Sequence, residues 1–231
     1  MSHTFSIYVN PMIFFGLDDP FDDAPPTPEG VLGTLVSPGT DASVAAIRDR
    51  AKALSEGSGG IFAAPHEDHI LEKLVWPLRH AKASYCLGNY LGTIALVGMV
   101  SEMVAMTWFD ATPFAINGNP MDDDAQKAVW GSTFEKLGQE RRVTILRAYG
   151  VIDDDLRKSF DEVRFIRRRY LHLASQGHER IQDDARVAFG HGVRQVAKLI
   201  GQDVENGKIV LSPVMMRYLS SRGLLRPVDE P

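Results

Sequence analysis

A chain of 231 residues that is 44% hydrophobic can bury one large core, or one core with a small appendage. Its formal net charge of -5 excludes a surface that is basic throughout, so any polyanion site is confined to a local patch. The single cysteine, Cys86, excludes an intrachain disulfide framework, and no Cys/His spacing reads as a zinc site.

Residues 1–10 lack the basic n-region and long apolar h-region of a signal peptide, and a reducing cytoplasm is the expected setting. Segments 5–9 and 12–15 are β-prone around Asn10-Pro11 and are expected to make one short strand pair. Segment 18–39 is rich in Asp, Pro and Gly without an apolar period, which predicts an extended loop. A short helix is expected over 41–54, with Asp41 as N-cap and Val44, Ile47, Ala51 and Leu54 as its apolar stripe. A Gly/Ser link over 55–60 ends it.

From Glu67 the helical period dominates. Ile70, Leu71, Leu74 and Val75 share a face, and Pro77 either kinks this helix or opens a second one. Helical pattern continues over 78–87, and Gly88-Asn89 turns the chain into a nearly uncharged helix over 90–109. That segment almost suffices to span a bilayer, but Glu102 sits in its middle and no basic flank follows, so it reads as a buried core helix. Its Gly92 and Gly98 weaken helix propensity yet permit close approach of another helix.

A loop is expected over 110–124, then a helix over 124–149 that turns Val129, Phe134, Leu137, Val143 and Leu146 inward, with Gly131 and Gly138 as candidate interruptions. Gly150 reads as a C-cap, and Asp153 to Asp155 supply a negative helix start. Leu156, Phe160, Val163, Ile166, Tyr170 and Leu171 define the buried side of the next helix, with Arg157, Arg164 and Arg168 largely outside. Another helix is expected over 181–200, then a strand over 209–211 and a helix from Ser212-Pro213 to Ser221. The expected fold is mainly all-α, an antiparallel bundle over 67–205. A small irregular or β appendage (1–66) precedes it, and a tail with a short helix (206–231) follows.

The run from Arg164 to His172 clusters guanidiniums ahead of an imidazole. Arg stays charged and forks onto phosphate oxygens, and His exchanges protons near neutrality, so the pair suits chemistry on a phosphodiester. The order of Ala81-Lys-Ala-Ser-Tyr85, Ser101-Glu102-Met103 and Arg167-Arg-Arg-Tyr-Leu-His172 resembles the HEPN superfamily, many of whose members carry an R-x4-6-H signature in a late helix. Arg141 to Leu146 followed by Tyr149-Gly-Val-Ile152 is similar to the helix and turn that lead to that signature. The resemblance covers roughly 74–201.

It implies a cytoplasmic, metal-independent ribonuclease of a stress, toxin–antitoxin or phage-defence setting. The enzyme would need no cofactor, would pair as a homodimer through the signature helix, and would take RNA, with an antitoxin or other protein as a further partner. By resemblance, His172 handles the proton of the ribose 2′-OH or leaving oxygen, Arg167 neutralises the phosphorane, and Glu102 holds one of them in place. Arg164, Arg168 and Arg169 would contact the RNA backbone. The chain departs from the family's pattern at Arg168, where Asn, Asp or His is common, and at Met106, where a Lys or Arg is common.

Each residue also has a structural reading. Glu102 in an apolar helix needs a cationic partner in any case. His172 suits the C-terminal end of a helix dipole, and Tyr170 falls at core spacing as well as suiting a base-stacking platform. The rival function is therefore a non-catalytic dimerisation or nucleotide-binding module. A DNA-binding regulator over 141–169 is disfavoured by the acidic Asp153 to Asp155, which would face phosphate.

Overall fold

The computed structural model describes residues 27–37, 39–56, 64–116, 118–171, 177–201, 203–205 and 208–225. The strand pair expected over 5–15 lies outside them, as does His172. Within them the protein is an all-α helical bundle.

Its centre is α5 (Tyr90–Asp110), nearly uncharged and packed on several sides by other helices. α4 (Trp76–Cys86) folds back on α5 through the turn at Gly88, whose φ of 76° is in the left-handed region that glycine tolerates. Thr93 Oγ1 donates to Ala81 O at 3.1 Å and fastens this antiparallel pair. α8 (Asp154–Leu171) and α9 (Ile181–Ile200) complete the bundle. Length and composition alone would let α5 cross a membrane, but 56% of its most apolar window is buried inside the protein.

Pro77 opens a second helix in its first turn, without a gap after the preceding one. The short helix α3 (Asp68–Ile70) runs into a π-turn (Leu71–Val75) and then directly into α4. Pro77 has no N–H to give to a carbonyl four residues back, and the wider turn before it, with Trp76 N–H bonded to Leu71 O, absorbs the defect.

Several elements differ from expectation. The loop predicted over 18–39 contains α1 (Pro28–Leu35), because Thr27 caps it through Gly30 N–H and Pro28 is preorganised at its first position. α2 (Val44–Ser55) is capped by Ser43, whose N–H is held by Asp41 at 2.8 Å, so Asp41 braces the cap without being it. Val44 is exposed, whereas Leu54 enters the core, and Arg50 Nε donates to Cys86 O at 2.7 Å. α2 thus belongs to the bundle.

The loop after α5 holds a minimal hairpin, β1 (Ala115–Ile116) with β2 (Asn119–Pro120). The helix predicted over 124–149 divides at both glycines into α6 (Asp123–Trp130), a 3-10 turn (Phe134–Lys136) and α7 (Gln139–Ala148). Val129 and Leu171, expected inside, are exposed because their helices bury the neighbouring faces of Trp130 and Tyr170.

Strand β4 (Lys208–Val210) pairs antiparallel with β3 (Asp203–Glu205), which no sequence signal marked. The boundary expected at 205/206 therefore cuts a hairpin. α10 (Pro213–Ser221) places Val214, Met215, Tyr218 and Leu219 in the main core with Trp108, Phe134 and Leu199. A second core cluster, built on Tyr85, Ile94, Val163, Ile166 and Phe189, lies toward the other end.

Candidate functional site

Where α8 crosses α5, the Arg167 side chain lies over Gly98; a Cβ there would stand 2.5 Å from Arg167 Cδ. Glu102 is one turn further along the same face of α5, and Arg167 Nη1 donates to its Oε1. On the other side Arg142 Nη1 lies 4.0 Å from Glu102 Oε2. A carboxylate in this nearly uncharged helix thus stands between two guanidiniums, which offsets the cost of desolvating it. Arg142 is the more buried and also caps the 3-10 turn, donating from Nε to Phe134 O at 3.1 Å and from Nη2 to Glu135 O.

Glu102 and Arg167 line an open cleft of about 500 Å³ between α5, the start of α7 and α8. Gln139 Nε2 donates to Ser101 O at 3.1 Å and ties α7 to α5 across its floor. Four guanidiniums (Arg141, Arg164, Arg167, Arg168) and two carboxylates (Glu102, Glu140) line it, an excess of two positive charges in a chain of net charge -5. Ser101 Oγ, Gln139 Oε1 and Arg164 Nε, all on lining residues, are buried without a hydrogen-bond partner. A cleft of this composition is suited to an anion that accepts forked N–H donors.

The arginines of the cluster are not equivalent. Arg164 is engaged on both sides, with Glu140 Oε2 at 2.7 Å and Asp161 Oδ1 at 3.2 Å. Arg169 points away from the cleft and pairs with Asp184 of α9, a carboxylate only 6% exposed. Tyr170 donates its hydroxyl to the same Asp184 Oδ2 at 2.7 Å, so Tyr170 is a core residue and its buried phenol is pushed up in pKa. Arg168 is exposed on the cleft side and has no ion-pair partner among the described residues. The structure therefore brings Glu102, Arg164, Arg167 and Arg168 to one cleft and gives Arg169 to a different junction.

The sequence did not mark Arg142, Gln139 or Asp184. Asp184 lies in the acidic first turn of α9, which reads as a response to the helix dipole until α8 is packed beside it. His191 likewise had no legible partner. Its Nδ1 lies 3.1 Å from Ser159 Oγ, across the α8–α9 contact, with Gln195 Nε2 on the same hydroxyl at 3.3 Å. Ser159 is 1% exposed, so its hydroxyl is closed to substrate and the Ser–His contact is an internal polar tie. Burial, then repulsion from Arg194, lowers the His191 pKa, with Glu162 acting weakly the other way.

The fold and the cleft define an all-α bundle with a locally cationic, carboxylate-braced groove. Comparison with known protein families, curated proteins and solved structures gave no match.

Proposed function

We propose that this protein is a HEPN-like RNA-binding protein that cleaves RNA by metal-independent attack of a ribose 2′-OH on the adjacent phosphate. The observation that carries the reading is the Glu102–Arg167 pair in an open cleft with a local cationic excess. The 2′-oxygen bonds to phosphorus as its proton leaves, a doubly charged phosphorane forms, and the 5′-oxygen departs as it gains a proton. Arg167, fixed by Glu102, supplies charge to the phosphorane. His172, five residues on in the sequence, moves the proton. Arg168 contacts the backbone.

Pairing of two copies would bring two such clefts together. The resemblance puts that pairing on the signature helix α8; beside it, the uncovered side of α5 carries Leu91, Ala95 and Met99 at four-residue spacing, an apolar strip suited to a second copy.

A non-catalytic module is the second reading, and the observation favouring it is the engagement of Arg142, Arg164 and Arg169 in intramolecular contacts. Cleavage of labelled single-stranded RNA in EDTA separates the two. Cyclic-phosphate ends made by the wild type and lost in His172→Ala and Arg167→Ala are expected. A folded wild type that cleaves no RNA across a substrate panel rejects the enzyme.

A further inference from the structure

A second groove, of about 410 Å³, lies between α2, the π-turn, α4 and α9. Its size falls in the range of small-molecule sites. Leu71, Val75 and Leu78 form one wall, and Phe189, Val193 and Val196 the other.

The π-turn shapes this wall. It inserts extra arc between Leu71 and Val75, so that the aliphatic side chains on either side of Pro77 continue along one edge of the groove. Arg79 and Lys82 follow Val75 and Leu78 by one helical turn each and also line the groove. The direction of α9 is fixed by the cores: Ile70 and Leu74 share a cluster with Val196 and Ile200, whereas Ala81 and Tyr85 share one with Phe189. The groove therefore runs from an aliphatic end at Leu71 and Ile200 to a cationic end at Arg79 and Lys82.

No carboxylate lines it, and neither Arg79 nor Lys82 has an ion-pair partner among the described residues. Two uncompensated cations at one end of an apolar trough, in a chain of net charge -5, are complementary to a molecule with a hydrocarbon body and an anionic head. We infer that this groove binds a medium-chain carboxylate, its chain along Val75, Leu78 and Val193 and its head between Arg79 and Lys82. The inference is independent of the RNA reading.

The test is calorimetric titration of the full chain with dodecanoate and with dodecanol, both below micelle formation. Dodecanoate is expected to bind about tenfold or more tightly than dodecanol, and the exposed double variant Arg79→Glu/Lys82→Glu to erase that difference. Val193→Trp, with its fold checked by circular dichroism, is expected to abolish both by filling the trough. Absence of uptake by the wild type overturns the proposal, as does equal uptake of both probes or uptake that survives Val193→Trp.

Discussion

Gly98 lies directly beneath the Arg167 side chain, and the absence of a Cβ at 98 is what lets Arg167 reach Glu102 across the α5 surface. Alanine favours a helix interior over glycine by about 1 kcal/mol. Gly98→Ala should therefore keep the fold, its propensity gain offsetting the displacement of a flexible side chain. RNA affinity should fall about tenfold as Arg167 is pushed aside. Thermal melts beside RNA titrations test this. Unchanged affinity would remove Arg167 from the binding surface.

Glu102→Gln should destabilise the fold by roughly 1–2 kcal/mol, because Arg142, 10% exposed at its side chain, loses its nearest carboxylate. The figure is below that for a fully buried pair because Glu102 and Arg167 remain 31% and 34% exposed. Urea denaturation reads it directly, and a midpoint that does not move would show that the pair is idle for stability.

Arg168 and Arg169 should separate cleanly. Arg169→Ala and Asp184→Ala break the α8–α9 junction that Tyr170 shares, and Asp184→Ala should cost about 2–3 kcal/mol by leaving a buried hydroxyl unpaired. Arg168→Ala should stay within about 0.5 kcal/mol of wild type. It should instead lower the salt dependence of RNA binding by about one ion. The reverse pattern would contradict the roles assigned to them.

Stability should fall as pH drops below the ordinary histidine value of 6.5, because His191 holds its proton less well folded than unfolded. The unfolded chain then binds more protons, so the contribution is complete above that value and is lost on acidification. His191→Gln, which can still bond Ser159, should flatten the slope of unfolding free energy against pH in that window. An unaltered slope would place the titrating group elsewhere.

Met99→Arg should abolish self-association without lowering monomer stability, since Met99 is 41% exposed. Sedimentation of both proteins over a concentration series tests the pairing surface. A wild type that sediments as a monomer throughout would remove the dimer from the proposed function.

The helices were largely legible in the sequence because their signals are local. Apolar spacing marked α5, α8 and α9, and Gly131 and Gly150, both at positive φ, marked breaks that follow from backbone conformation alone. α1 was hidden by its Pro- and Gly-rich surroundings, although Thr27-Pro28-Glu29 is a local start signal. The π-turn was not legible, because several adjustments can absorb one missing donor at Pro77, and packing selects among them. Of the candidate site, Glu102 declared itself as the lone charge in an apolar helix, and the arginines by their clustering.

What the sequence by itself determined is the all-α class, the buried role of α5 and the need for a cation beside Glu102, since an unpaired carboxylate there is costly in any fold. Only the tertiary structure decided which cations meet it and which arginines serve other junctions. Arg167 and Arg169 are two residues apart, yet α8 turns one to Glu102 on α5 and the other to Asp184 on α9. A helix turns each residue by about 100°, so the sequence fixes that those side chains diverge. Which helix stands on each side depends on contacts between residues far apart in the chain.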